Sequence, residues 1–166
     1  MSCTRICHEV SQPGISQNSG IVERTSQDVQ LGTAACLLQA GLPPQFWSFA
    51  APCYSMLNNT DSRLGTSRWH KGIGSEFVGH RFPFGCCVSY LPSPTKDLPR
   101  GKWDPVMRVG IFAGYTMRPG WHWCREYYVW DITDFRGFDL SDQTPTFPTH
   151  IRHLHVAGRL RLHQNA

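Results

Sequence analysis

The chain has 166 residues, of which 40% are hydrophobic and 12% aromatic, and its net charge at neutral pH is +4. This length suits one domain or two small ones, and the aromatic content excludes a chain that is disordered throughout. No stretch of about 18 consecutive apolar residues occurs, so we expect no membrane-spanning segment and no membrane partner.

The cellular compartment is suggested by the N-terminus and the cysteines. The N-terminus lacks the long apolar stretch of a secretory signal. The seven cysteines are odd in number and include the adjacent pair Cys86 and Cys87, which does not suggest a disulfide framework. We therefore expect an intracellular protein, in the nucleus or cytoplasm, that is not secreted.

The first 60 residues predict an irregular leader and two helices. Residues 1–17 are polar and without periodicity, whereas Asn18 and Ser19 are typical N-cap residues for a helix that ends at Gly41. Pro52 predicts a bend or an early end in the second helix. The apolar stripe of the first helix comprises Val22, Val29, Thr33, Cys36, Leu37 and Ala40, and that of the second comprises Phe46, Phe49, Ala50, Cys53, Met56 and Leu57. We expect the two helices, within residues 18–60, to pack as a hairpin.

The rest of the chain changes character twice. Residues 61–83 are rich in Gly, Ser, Arg and His and predict a linker. Residues 84–147 hold several short strand-like runs, one of which contains two glycines, and this favours a small β-barrel over a sandwich. Residues 148–166 carry basic side chains and predict a frayed basic tail. The predicted fold class is therefore α+β.

Three sequence blocks occur in a fixed order over roughly residues 13–135. The first is Gln-Asn-Ser-Gly-Ile-Val-Glu-Arg at 17–24, followed by Gly-Leu-Pro at 41–43 and Phe-Trp at 46–47. The second is Phe-Gly-Cys at 84–86. The third is Lys-Trp-Asp-Pro at 102–105 with Gly-Ile-Phe-Ala-Gly-Tyr at 110–115. Together they resemble the integrase region in the Pol polyproteins of copia-type retrotransposons.

The resemblance implies a fold and a chemistry. It implies that residues 18–60 are two helices from the end of an RNase H-like integrase core and that residues 84–147 are a small SH3-like β-barrel. Such cores cut and join DNA with two Mg²⁺ ions held by two aspartates and one glutamate, which stabilise the entering and leaving oxygens. Glu23 would be that glutamate and metal ligand, and Arg24 would lie beside it, near a phosphate of the nucleic acid.

Catalysis by this chain alone is not expected. No aspartate precedes Glu23, and a single carboxylate does not hold two divalent ions against water. We therefore expect Mg²⁺ in the complete integrase, no cofactor for this chain alone, and a fragment that takes part in DNA integration without being an active polynucleotidyl transferase.

The charge distribution suggests where nucleic acid would bind. Residues 61–110 contain 8 basic and 4 acidic side chains. Arg100, Lys102 and Arg108 are predicted to form a strip that contacts phosphates. The expected partners are DNA, bound weakly and without sequence preference, and the rest of an integrase polyprotein or other integrase copies.

Two other interpretations remain open at this point. The aromatic group Trp121, Trp123, Tyr127, Tyr128 and Trp130 indicates core packing, or else a cage for methylated lysine or a platform for unpaired bases. A cage would suit a stand-alone barrel that binds protein tails or chromatin. The chain would alternatively be a nonfunctional transposon remnant, in which Val29, Cys36 and Leu37 have no partner to cover them and solubility is poor.

Overall fold

Residues 20–63, 65–92, 103, 105–140 and 155–162 are described by the computed structural model. This part of the chain forms three α-helices and one five-stranded antiparallel sheet. The combination agrees with the predicted α+β class. The predicted leader, residues 1–17, lies outside the described residues.

The predicted helical hairpin is confirmed. Helix α1 spans Gly20–Ala40, a 3₁₀ turn spans Pro44–Phe46, and helix α2 spans Trp47–Thr60. Gly41 ends α1 with a φ of 64°, a conformation that glycine adopts without strain. Helix α2 continues through its internal proline to Thr60 and so does not end early.

Helix α2 covers the C-terminal half of the predicted stripe on α1. Thr33 and Leu37 are buried and Cys36 is half-buried. Gly32 lies directly beneath the ring of Tyr54, so that a Cβ atom there would overlap the ring. The expectation that Leu37 would lack a partner is therefore wrong, because α2 supplies one.

The predicted linker is an integral part of the fold. It contains helix α3, Arg68–Ile73, whose first turn is capped by the buried Ser67 side chain accepting from the backbone of His70 at 3.0 Å. The end of the segment is held to the sheet, because the backbone N–H of Phe82 donates to the hydroxyl of Tyr115 at 3.2 Å. Phe82 is itself a core residue.

The strands form one sheet in the order β4-β3-β2-β1-β5. Their bounds are Cys87–Tyr90 for β1, Arg108–Arg118 for β2, His122–Asp131 for β3, His155–Ala157 for β4 and Leu160–Leu162 for β5. The last two strands lie in the segment predicted as a frayed basic tail, so that prediction is wrong for residues 155–162. Three-residue strands give only a weak alternation signal in sequence.

The sheet curls strongly but is not a closed barrel. Strands β4 and β5 pair with opposite margins of the sheet, β3 and β1, yet only Gly158 and Arg159 separate them in sequence. The Cα atoms of Ala157 and Leu160 are three residues apart and so lie at most about 11 Å from each other, which brings the two margins close together. Within the described residues no ladder joins β4 to β5.

Helices and sheet share a single hydrophobic core. The fully buried ring of Trp130 on β3 meets Phe46 and Phe49 edge-on, with centroids 5.2 and 5.1 Å apart. Val129 points to the other face of the sheet, where its β2 neighbour Phe112 is also buried. No helix in the described part of the chain has the length and apolarity needed to cross a membrane.

Candidate nucleic-acid interface

Glu23 lies in the exposed first turn of α1. The first two turns of this helix, residues 21–28, are all exposed, and contact with α2 begins at Asp28, which accepts from the Tyr54 hydroxyl at 3.1 Å. No hydrogen bond or ion pair joins the Glu23 side chain to any described residue. The carboxylate is therefore neither packed against the sheet nor neutralised by a described arginine.

Helix α1 has a second apolar face that the sequence analysis missed. Leu31, Ala34, Ala35 and Leu38 follow the i, i+3, i+4, i+7 spacing, and all four are exposed. Leu31 and Leu38 are 73% and 83% exposed. Helical geometry places Glu23 within about 80° of this face around the helix axis. The signal was present in the sequence, but the stronger stripe through Leu37 took precedence.

The Mg²⁺ site implied by the resemblance does not fit this chain. Among the described residues no three His, Cys, Asp or Glu side chains are grouped so as to hold a metal ion. In this part of the chain Glu23 belongs to no such group, and Mg²⁺ binds through carboxylates in near-octahedral geometry.

The other predicted nucleic-acid contacts fall into different surroundings. Arg24 is exposed on α1, next to Glu23. Arg100 and Lys102 lie outside the described residues. Arg108 begins β2 and pairs with Asp131, its Nη1 atom 3.3 Å from Oδ2. The structure thus does not bring Arg24 and Arg108 together, and Arg108 already has an anionic partner.

Asp131 is the centre of a buried polar cluster. Its oxygens accept from the hydroxyl of Tyr90 at 2.9 Å and from both the backbone and the hydroxyl of Thr133 at 2.9 and 2.7 Å, as well as from Arg108. Burial acts to raise the pKa of Asp131, but the hydrogen bonds from Thr133, Tyr90 and Arg108 together lower it below its usual value. The position of Arg108 therefore favours a role in stabilising the fold through Asp131.

A basic groove lies beside the N-terminal half of β3. It has a volume of about 620 Å³, and its basic side chains come from three segments that are far apart in sequence. His80 comes from the segment after α3, Arg125 from β3, and Arg159 and Arg161 from the turn between β4 and β5 and from β5. None of these three arginines forms an ion pair with a described residue, and no aspartate or glutamate is among the described residues that line the groove. We call this feature the basic groove.

The floor of the basic groove is apolar. Trp123 lines it together with Leu91 and Leu160. The Trp123 ring packs against Phe77 with centroids 4.5 Å apart, and its Nε1 atom donates to the carbonyl of Glu126 at 3.4 Å. The indole is consequently held in a fixed orientation beside the basic side chains.

A bulge in β3 places Arg125 in the basic groove. Three residues of β3 separate Trp123 from Tyr127, whereas a single residue of β2, Thr116, separates their pairing partners. Arg125 lies inside this bulge with a φ of 62°, a left-handed conformation that costs a non-glycine residue about 1 kcal/mol or more. Bulges of this kind redirect side chains at functional sites.

The five-residue aromatic group is divided among separate environments. Trp130 and Tyr127 are buried core residues, which agrees with the packing interpretation. Trp123 lines the basic groove, and Trp121 is 61% exposed at the turn between β2 and β3. The five rings therefore do not form one cage.

No family model, no curated protein and no solved structure matches this chain in the comparisons. The function is therefore inferred from the geometry and from the ordered sequence blocks.

Proposed function

We propose that this chain is the C-terminal part of a copia-type integrase that binds nucleic acid and needs the upstream half of an RNase H-like core for catalysis. The observation that carries the proposal is the second apolar face of α1, which no described residue covers and which has Glu23 near its N-terminal end. A helix that is apolar on two opposite faces packs between two layers of structure. Helix α2 is one of these layers, and the sheet of the missing half-core would be the other.

The sheet supports the second half of the proposal. Five antiparallel strands, of which β1, β4 and β5 are short, curl so that one segment, residues 155–162, occupies both margins. This is the arrangement expected of a small SH3-like domain whose margins are protected against further strand pairing. Close packing also explains Gly110 of the third sequence block, since a Cβ there would overlap the Trp130 carbonyl and the Val129 side chain.

Nucleic-acid binding is supported by the charge of the chain and by the basic groove. The net charge is +4, and the arginines of the basic groove have no described carboxylate beside them. Phosphates are the natural partners of such a surface. The predicted weak, nonspecific binding of DNA should appear as an affinity that falls steeply with salt.

Fragment complementation tests the proposal. The purified chain is mixed with a copia-type integrase that ends just before its own glutamate-bearing helix and so supplies the two aspartates. We expect the two parts to co-elute and to join a labelled oligonucleotide in the presence of Mg²⁺, whereas neither part does so alone.

Two variants make the complementation test specific. Glu23→Gln should co-elute with the partner fragment and abolish joining, whereas Glu76→Gln, a control at an exposed glutamate of the predicted linker, should leave joining intact. Leu38→Glu should prevent co-elution by placing a charge on the second apolar face. Joining that persists with Glu23→Gln, or a failure of the unmodified chain to associate, contradicts the proposal.

A further inference from the structure

We propose that the basic groove binds an unpaired stretch of single-stranded nucleic acid, with phosphates on Arg125, Arg159 and Arg161 and a base against Trp123. This inference rests on the proposed function for its choice of nucleic acid as the ligand. It goes beyond that function by assigning the site and by selecting unpaired strands over duplex.

Three arginines outside the groove have partners within the fold. Arg63 pairs with Asp61 at 2.6 Å and Arg108 with Asp131 at 3.3 Å, and Arg81 donates to the Thr60 carbonyl at the end of α2. These side chains have partners that serve the fold.

The arginines of the basic groove have no such partner in the described part of the chain. Arg24, Arg68, Arg118 and Arg136 also form no ion pair with a described residue, so the distinguishing feature of the groove arginines is that three of them line one groove. Arg125, Arg159 and Arg161 converge from two parts of the chain without an ion pair to a described residue, and His80 adds a fourth basic group. Converging positive charges repel one another, and an anionic ligand between them makes the electrostatic energy favourable. Several cations along one groove suit a ligand with several anionic groups, such as a phosphate backbone.

The apolar floor selects the kind of strand. In a duplex the base faces are stacked inside the helix, so a duplex would present phosphates to the rim and leave the floor between Trp123 and Leu160 unfilled. An unpaired strand exposes base faces that stack on aromatic side chains while its phosphates contact the arginines. The groove volume of about 620 Å³ lies within the roughly 300–1,000 Å³ of sites that take a small organic group.

The groove is preorganised for binding. Phe77 and the Glu126 carbonyl hold the Trp123 indole in place, and the bulge fixes the backbone of Arg125. Groups that are already ordered lose less conformational entropy on binding. The same features disfavour a methylated lysine, because a cation would enter among three arginines.

Fluorescence anisotropy with three labelled probes tests the inference. The probes are a single-stranded 12-mer of mixed sequence, the duplex of the same sequence, and an abasic strand of the same length. We expect the single strand to bind at least about fivefold more tightly than the other two, the lower end of what one stacked base contributes. Contacts to three phosphates predict a slope of log affinity against log salt near −2 for single strands.

Variants place the binding in the basic groove. Arg125→Ala and Arg159→Ala should each weaken binding and reduce the salt slope by about 0.7. Val78→Glu, at an exposed position that lines the groove and contributes nothing to the core, should abolish binding. Trp123→Leu should abolish the preference for the single strand over the abasic strand. Arg136→Ala, at an exposed arginine outside the groove, is the matched control and should bind as the unmodified chain does.

The possible outcomes separate this inference from the proposed function. Equal affinity for the single strand, the duplex and the abasic strand would overturn the inference while leaving DNA binding in place. Tight single-strand binding that Val78→Glu and the arginine variants do not weaken would overturn the assignment to the groove. Failure of every probe to bind would remove nucleic-acid binding itself, whereas the complementation assay reports on integrase membership independently. Circular dichroism of each variant shows whether it is folded.

Discussion

Arg108 and Arg125 lie on neighbouring strands of one sheet and differ in almost every respect. Arg108 is anchored by Asp131 within a network of four hydrogen-bond donors, on an ordinary stretch of strand. Arg125 is exposed, has a left-handed backbone conformation, and forms no ion pair with a described residue. The sheet thus uses one arginine for stability and holds the other in an unfavourable conformation that stability does not explain.

The largest effect on stability is expected at Asp131, the partner of Arg108. Asp131→Ala leaves the buried hydroxyl of Tyr90 and the backbone N–H of Thr133 without their acceptor, and we expect a loss of about 3 kcal/mol in the free energy of unfolding. Urea unfolding followed by fluorescence measures it. Asp61→Ala, which removes the solvent-exposed pair with Arg63, is the control and should cost clearly less. Equal losses in the two variants would show that the cluster around Asp131 has no special role.

The pH dependence of stability should reveal the same cluster. Because the pKa of Asp131 is lower in the folded chain than in the unfolded one, the stability it contributes is present above the unfolded value, about 3.9, and is lost as the pH falls through the folded value. The difference in unfolding free energy between the unmodified chain and Asp131→Asn should therefore be largest near neutral pH and shrink below about pH 4. Unfolding curves from pH 3 to pH 7 test this, and a constant difference would contradict it.

The second arginine of the comparison, Arg125, is tested by Arg125→Gly, which should change the affinity for nucleic acid and the free energy of unfolding in opposite directions. Glycine accepts the positive φ without strain, so we expect the variant to be more stable by about 1 kcal/mol and to bind the single-stranded probe more weakly. Arg125→Ala removes the same charge but keeps the unfavourable conformation, and its stability should match that of the unmodified chain. If glycine and alanine give the same unfolding free energy, the conformation of Arg125 stores no strain.

The smallest effect on stability is expected on the second apolar face of α1. The double variant Leu31→Ser, Leu38→Ser alters only exposed side chains and should change the unfolding free energy by less than about 0.5 kcal/mol. It should reduce self-association in sedimentation, because an uncovered apolar face promotes contacts between molecules. Leu37→Ser, one residue before Leu38 but buried against α2, is the contrast and should destabilise the chain strongly. Unchanged sedimentation of the double variant would argue against an unfilled docking face.

Local features of the fold were predictable from sequence. The first helix and its end at Gly41 follow from periodicity and from the glycine and prolines that come next, and the strands around Gly110 and Tyr127 follow from apolar alternation and intervening turn residues. These signals act within a few residues, so the sequence displays them directly.

The features that define the candidate site were not predictable in this way. His80, Arg125 and Arg159 are far apart in sequence, and only the curl of the sheet brings them to one groove. A modest clue existed at Leu160-Arg161-Leu162, where an alternating triplet follows Gly158. Arg108 is a related case, since its charge is visible in the sequence but its partner Asp131, 23 residues away, is not.

The short C-terminal segment that carries β4 and β5 has a consequence for synthesis. Among the described residues, one stretch of eight, residues 155–162, pairs with both flanks of the β1–β2–β3 meander, and this pairing is complete only after Leu162 has emerged from the ribosome. A message cut short before codon 155 would yield a polypeptide in which β1 and β3 lack these partners and Arg159 and Arg161 are absent. Such open strand edges promote association between molecules. Pairing along both β1 and β3 and the delivery of Arg159 and Arg161 to the basic groove thus depend on the same eight-residue segment.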